Sequence, residues 1–323
     1  MSPRMLLTAG GLLLLVAVPF SQGPYGLYVL SLWLVFSMSA MGLNLTLGYA
    51  GQVSMAQAAF MGIGAYTSAL LTMAGVHWLI AAPAAAALCF LVGLLLGYPA
   101  LRVQHHFLAF VTLAFTTLVW LVLRNEEWLT GGNYGLAGVP RPTFGGVSTM
   151  PPMNFYYFTL AVFVLVAAGL YGIVRSPWGR AFRALRENPV RADSLGVDIR
   201  KITLLSFAIG GAIGGISGAL LAPLVQFIDP SGFTLLISLK ILLMVVVGGS
   251  GYFLGPLLGA GLVIVVPEYL RFAEGYYLMI FGALVVVLMI FCPSGLIGLG
   301  QRIAGSLKPK RVARADLKQG ALL

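Results

Sequence analysis

The stretch Arg175–Lys201, RSPWGRAFRALRENPVRADSLGVDIRK, decides the fold class by contrast with what surrounds it. It carries seven Lys/Arg (Arg175, Arg180, Arg183, Arg186, Arg191, Arg200, Lys201) and three acids (Glu187, Asp193, Asp198), whereas 154–174 and 202–221 contain no charged residue. A water-soluble island between two uncharged runs is a loop at a membrane face. A connection between helices needs only a few residues, so a loop of this length reads as a docking surface. Its local signals specify two short surface helices. Ser176-Pro177 is an N-cap with proline at the first helical position, Pro189 stops that helix, Asn188-Pro189 repeats the start signal, and Gly196 ends the second. Trp178, Phe182 and Leu185 fall on one apolar side, with Arg180, Arg183 and Arg186 around the rest.

Working outward, the whole chain has the composition of a polytopic helical membrane protein. Of 323 residues 59% are hydrophobic and 9% charged, against about 25% charged in a soluble domain. Apolar runs suited to about 30 Å of hydrocarbon lie near 5–21, 26–47, 53–74, 78–98, 107–123, 154–174, 202–224, 235–249, 252–271 and 275–292, ten in all. The fold class expected is therefore an all-α transmembrane bundle, 1–300, followed by a basic tail, 301–323. Three of the runs are weak. The first is short and follows a single base, so Met1–Gly23 resembles a signal peptide, although no small-x-small cleavage site follows its apolar core. Met55–Thr72 is interrupted by Gln57, Gly62, Gly64, Tyr66, Thr67 and Ser68 and reads as a broken or re-entrant helix, and 235–249 is short and carries Lys240.

The net charge of +10 does not indicate nucleic acid, because its distribution follows the loops. With the loop 175–201 in the cytoplasm, alternation collects Arg4, Arg102, that loop and the tail from Arg302 on one side, 15 of the 19 Lys/Arg. Both ends are then cytoplasmic by the positive-inside rule, and the tail suits either an anionic lipid surface or plain solvation. The loop 124–153, with TGGNYGLAGVPRP from Thr130, is then external and irregular.

Catalytic motifs are absent: there is no GxxxxGK[ST] phosphate loop, HExxH, CxxC or serine elbow. Cys89 and Cys292 lie in apolar runs and read as buried hydrophobes. His105 and His106 are adjacent, so they point to different helix faces and suit an interface better than a shared metal. The membrane runs hold few ionisable groups, Lys240 and Glu268, where a proton- or sodium-coupled carrier needs more at mid-depth. If the chain is a transporter, its energy then comes from elsewhere, and the basic loop is where it could enter. Gly210, Gly214 and Gly218, and again Gly251, Gly255 and Gly259, recur every fourth residue and suit close helix packing in lipid.

Four runs carry a family resemblance over nearly the whole chain: GLNLTLGYAGQVSMAQAAFMGIGAY (Gly42–Tyr66), TGGNYGLAGVPRP (Thr130–Pro142), GRAFRALRENPVRADSLGVDIRKITLLSFAIGGAIGGISGAL (Gly179–Leu220) and VVVGGSGYFLGPLLGAG (Val245–Gly261). The chain resembles LivM-type permeases of branched-chain amino acid ABC importers. The third run is similar to the motif that docks on an ABC ATPase, with Ala184 and Gly196 at its Ala and Gly positions, and Arg180, Arg183, Arg186 and Glu187 around them. The resemblance implies a second permease subunit, two ATPases that hold ATP and Mg, and an extracytoplasmic binding protein, with no cofactor in this chain. Departures are Ala56 where the family more often has Gly, Val103–Ala109 where it has an RGxYFA-like run, and Tyr252 where it has Thr. Asn44, Gln52, Ser54, Gln57, Tyr66, Thr112 and Thr116, polar residues on apolar segments, are candidates for the pathway, each with an alternative reading as an interhelical hydrogen bond. Other readings are a permease for urea, short amides or other small solutes, and a passive facilitator without an ATPase.

Overall fold

The computed structural model describes residues 13, 15–101, 105–144, 147–269 and short pieces between 282 and 298. Arg4, Arg102, Arg271, Cys292 and the tail 301–323 lie outside them, as do the side chains of His105 and His106 and most of the runs 5–21 and 275–292. In chain order the helices are α1 (Pro24–Asn44), α2 (Gln57–Met73), α3 (Trp78–Ala100), α4 (His105–Asn125) and α5 (Pro152–Arg175). The basic loop then forms α6 (Pro177–Glu187) and α7 (Pro189–Ser194), followed by α8 (Ile199–Val225), α9 (Leu235–Gly248) and α10 (Gly255–Tyr269). A π-helical turn, Leu45–Tyr49, prolongs α1.

Five of these, α1 with its extension, α3, α4, α5 and α8, are long and apolar enough to cross a membrane. Two of the weak runs form short helices. At 1.5 Å per residue the 14 residues of α9 reach only about 21 Å, less than the hydrocarbon thickness. The 17 residues of α2 reach about 25 Å, and the non-helical stretch Gly51–Ala56 supplies the rest.

The bundle is built around α8 and α1, whose apolar stretches are 72% buried, whereas α3, α4 and α5 bury a third or less and form the outer wall. In lipid, helices associate through packing rather than water exclusion, so backbone approach matters most. The small residues of α8 provide it. A Cβ at Gly210 would meet the Gly42 carbonyl of α1, one at Gly218 the Met61 carbonyl of α2, and one at Gly215 the Cys89 side chain of α3. Gly214 packs on Gln57 and Phe60 of α2. Pro223 near the end of α8 has no N–H, which frees the carbonyl of Ala219 four residues before it. The buried indole of Trp78 donates to that oxygen at 2.9 Å, so α3 satisfies the acceptor and is fastened to α8 there.

Successive helix ends alternate between two ends of the bundle. One gathers the π turn, the Gly51–Ala56 stretch, the basic loop and the turn 249–254. The other holds the loops 74–77, 126–151 and 226–234. There Leu136–Ala137 pairs antiparallel with Phe227–Ile228, and Thr143 pairs with Ser148 in a second small ladder. A ring nitrogen of His77 lies 2.8 Å from the Thr143 carbonyl. Arg141 donates to the carbonyls of Met150 at 2.7 Å and Pro223 at 3.4 Å, with its guanidinium 5.0 Å from the Phe155 ring centre. Burial moves the Arg141 pKa downward.

Candidate functional site

The basic loop folds as its caps dictate. Ser176 Oγ accepts the Trp178 N–H at 3.2 Å, Asn188 Oδ1 accepts the Arg191 N–H at 3.0 Å, and Asp198 Oδ1 accepts the Lys201 N–H at 3.1 Å to start α8. Gly196 turns the chain between α7 and α8 at φ +82°. Phe182 and Leu185 are buried at 0% and 2% exposure, while Trp178 on the same side remains 50% exposed. A tryptophan in the first turn of a surface helix suits the interfacial layer. Gly179 is the inner residue at that level, seated against the Val174 carbonyl.

The arginines of α6 have different roles. Arg183 donates to the carbonyls of Gly179, at 3.2 Å, and Val174, at 3.1 Å, and so caps the end of α5. Arg180 and Glu187 are exposed and Ala184 is half-buried. Arg186 reaches away from the loop: its Nη1 donates to the Gly48 carbonyl in the π turn. Gly51, at φ +72°, lies directly on the Arg186 backbone and side chain, and Gly251, at φ +83°, lies on its guanidinium. Beside α7 and the Gly196 turn, a hollow of about 690 Å³ is lined by Leu101, Pro189, Val190, Asp193 and the residues 196–200.

The candidate pathway residues separate into committed and uncommitted groups. Asn44 Oδ1 accepts the Gly251 N–H at 2.8 Å and its Nδ2 donates to the Tyr252 carbonyl at 2.9 Å. Gln57 Nε2 donates to the Ser39 carbonyl at 2.9 Å and the Gly210 carbonyl at 3.4 Å. Thr112 Oγ1 accepts the Met55 N–H at 2.9 Å and Thr116 Oγ1 donates to the Met55 carbonyl at 2.7 Å, so α4 grips both polar groups of one non-helical residue. All four are buried; Gln57 ties helix to helix, and the other three tie a helix to non-helical backbone. Along Gly51–Ala56 burial alternates as in an extended strand. Gln52 and Ser54 face packed protein, and Val53 and Met55 are the partly exposed ones. Tyr66 sits at the opposite end with its ring 6.0 Å from that of Phe233, and its buried hydroxyl has no hydrogen-bond partner among the described residues.

One glycine is corrected. Gly251 is not on a helix face with Gly255 and Gly259 but in the preceding turn, because a positive φ cannot be part of a helix. Gly255 and Gly259 face α9, near Gly248 and the Met244 carbonyl. Sequence reasoning also missed Gly48 and Gly51, whose spacing in Gly48-Tyr49-Ala50-Gly51 marked a turn, and Ser238, which accepts the Ala58 N–H at 3.0 Å from α9. Ser238 carried no pattern that could have found it.

The family described as "Branched-chain amino acid transport system / permease component" matches residues 25–292, most of the chain. The chain belongs to this family. It is similar to the high-affinity branched-chain amino acid transport system permease protein LivM of Escherichia coli, 33% identical over 310 residues, covering 88% of this chain and 73% of that protein. It is also similar to permease protein BraD of Pseudomonas aeruginosa, 26% identical with 81% of this chain and 91% of the relative covered. Permease protein LivH of Escherichia coli is 26% identical over 287 residues, 81% of this chain and 91% of the relative. No solved structure matches the chain. The permease is a multi-pass membrane protein by its apolar helices.

Proposed function

We propose that this permease is one of two membrane subunits of an ATP-driven importer of branched-chain amino acids in the bacterial inner membrane. Its basic loop docks in the cytoplasm on ATPase subunits, which hold ATP and Mg, and the opposite end receives an extracytoplasmic binding protein. The observation that carries this reading is the pair α6–α7: a capped, amphipathic element outside the bundle, buried inward through Phe182 and Leu185 and presenting Arg180, Glu187 and the Gly196 turn outward. Similarity to both LivM and LivH supports a paired permease. The uncommitted Tyr66 hydroxyl and the partly open Val53–Met55 side of the non-helical stretch are the pathway surfaces this structure supports.

The test is loop substitution in the reconstituted importer. Gly196→Glu puts a side chain at a positive φ and Ala184→Glu puts bulk and charge at a half-buried position of α6, and both leave the spans unchanged. Leucine uptake should fall at least tenfold while the permease still inserts, with ATPases lost or hydrolysing without transport. Normal ATP-dependent uptake by both variants would remove the loop as the coupling element, and uptake by the permease without ATPases would establish a facilitator.

A further inference from the structure

The π turn, the broken helix and the 249–254 turn meet at one side chain. Arg186 belongs to α6, yet its Nη1 bonds the Gly48 carbonyl, its Cα and Cβ lie 3.1 and 3.2 Å from where a Cβ on Gly51 would sit, and its guanidinium fills the space over Gly251. Asn44 closes the ring by accepting the Gly251 N–H and donating to the Tyr252 carbonyl. From Gly51 the chain runs unwound to Met55, where Thr112 and Thr116 hold it, and then to Gln57. Gln57 is bonded to Gly210, 11 residues into α8 from Ile199, which at 1.5 Å per residue is about 16 Å inside the bundle. Arg186 is also exposed on its outer flank, so one residue faces both the solvent side of the loop and the backbone that leads to mid-membrane.

Helices transmit displacement as rods, but a six-residue unwound stretch can change its φ/ψ angles and so change shape. Non-helical backbone at membrane depth is tolerated where protein or a cavity covers it, as it is in discontinuous transporter helices. We propose that Arg186 is a positioning residue, a strut that carries motion of the basic loop into the Gly51–Ala56 stretch and thereby moves its Val53–Met55 face. Arg183, by contrast, makes its hydrogen bonds within α5 and α6.

The inference rests on the proposed ATP-driven reading, and the experiment separates the two. The probe is Val53→Cys in a chain whose Cys89 and Cys292 are replaced by Ala, reconstituted with both permeases, ATPases and binding protein. N-ethylmaleimide reactivity is compared without nucleotide and after trapping with ATP and vanadate. In the otherwise unchanged chain the two rates should differ at least threefold. With Arg186→Ala the ratio should fall to about one and leucine uptake at least tenfold, while the ATPases co-purify in normal amount and hydrolyse ATP. Arg186→Lys, which keeps the charge and loses the guanidinium fork, should behave like Arg186→Ala. Persistence of the nucleotide response in both variants overturns the strut. So does loss of the ATPases from both, which makes Arg186 a docking residue, or a Val53→Cys rate insensitive to nucleotide while uptake stays ATP-driven. Uptake that needs no ATP in the parent chain refutes the importer reading instead.

Discussion

The two ends of the bundle are held together by different means. At the 126–151 end, paired strands, the bonds of Arg141 to two carbonyls, the buried Phe233 against Tyr66, and the Trp78 indole on Ala219 tie loops to helices through many short contacts. At the basic-loop end, three backbone turns at Gly48, Gly51 and Gly251 meet around one guanidinium and one carboxamide. The first arrangement distributes its contacts, so losing one lowers stability. The second concentrates them, so losing one changes how the loop and the unwound stretch move together. Energies of opening differ within a protein in this way, and moving elements come from the sparsely held parts.

The largest effect should come from the distributed half. Gly218 of α8 lies on the backbone of α2, where a Cβ meets the Met61 carbonyl and the Ala65 nitrogen. Gly218→Leu cannot be absorbed by rotating a side chain, and overpacking of this kind costs about 1–3 kcal/mol or more. Assembled permease in the membrane should drop at least fivefold. Gly169→Leu on α5, where nothing lies within 4 Å of a Cβ, should assemble as the parent chain does. Equal assembly of both would show that α8 is not the spine and would remove the contrast between the ends.

A smaller loss is expected at the Pro223 gap. Trp78→Phe keeps most of the ring volume but leaves the Ala219 carbonyl without its donor, and an unsatisfied buried acceptor costs about 1–3 kcal/mol. The melting temperature of the purified permease should fall while leucine taken up per ATP hydrolysed stays unchanged. A change in that ratio with no change in melting would mean that the opposite end also takes part in coupling.

What the sequence made legible follows from the range of each signal. The caps of α6 and α7 are local, three or four residues each, so Ser176, Asn188 and Gly196 could be placed before the fold was known. The α8 ridge is periodic, and periodicity survives without tertiary knowledge. Gly251 was misplaced because fourfold spacing alone does not distinguish a helix face from a turn that happens to precede one. Gln52 and Ser54 are polar residues in an apolar run, yet strand alternation turns them into the packed side, and alternation cannot be assigned until the break in the helix is located. Arg186 among six other bases of the loop, and Ser238 in an apolar run, are identified only by long-range contacts, 138 residues apart for Arg186–Gly48 and 180 for Ala58–Ser238.

The smallest effect concerns the start of α8, where the two ends are linked through one helix. Asp198 is the N-cap, and the Lys201 backbone N–H first, then its ammonium at 3.1 Å, hold the carboxyl below the usual aspartate range. A lowered pKa in the folded state means that the ionised form contributes stability above the unfolded value of about 3.9. That contribution is lost as the pH falls through the folded value. Asp198→Asn keeps an oxygen for the cap and loses the charge. It should therefore melt slightly below the parent chain at pH 7, and the gap should close as the pH falls through the lowered folded-state value, where the parent carboxyl takes up its proton. Asp198→Ala removes the cap as well and should melt lower than Asp198→Asn at both pH values. The charge is exposed, so added salt should shrink the Asn difference and leave most of the Ala difference. If Asp198→Ala instead keeps the parent's melting temperature and lowers leucine uptake per ATP, the first turn of α8 belongs with Arg186 among the moving parts. The boundary between the held and the yielding regions then lies deeper in the bundle, toward Gly210.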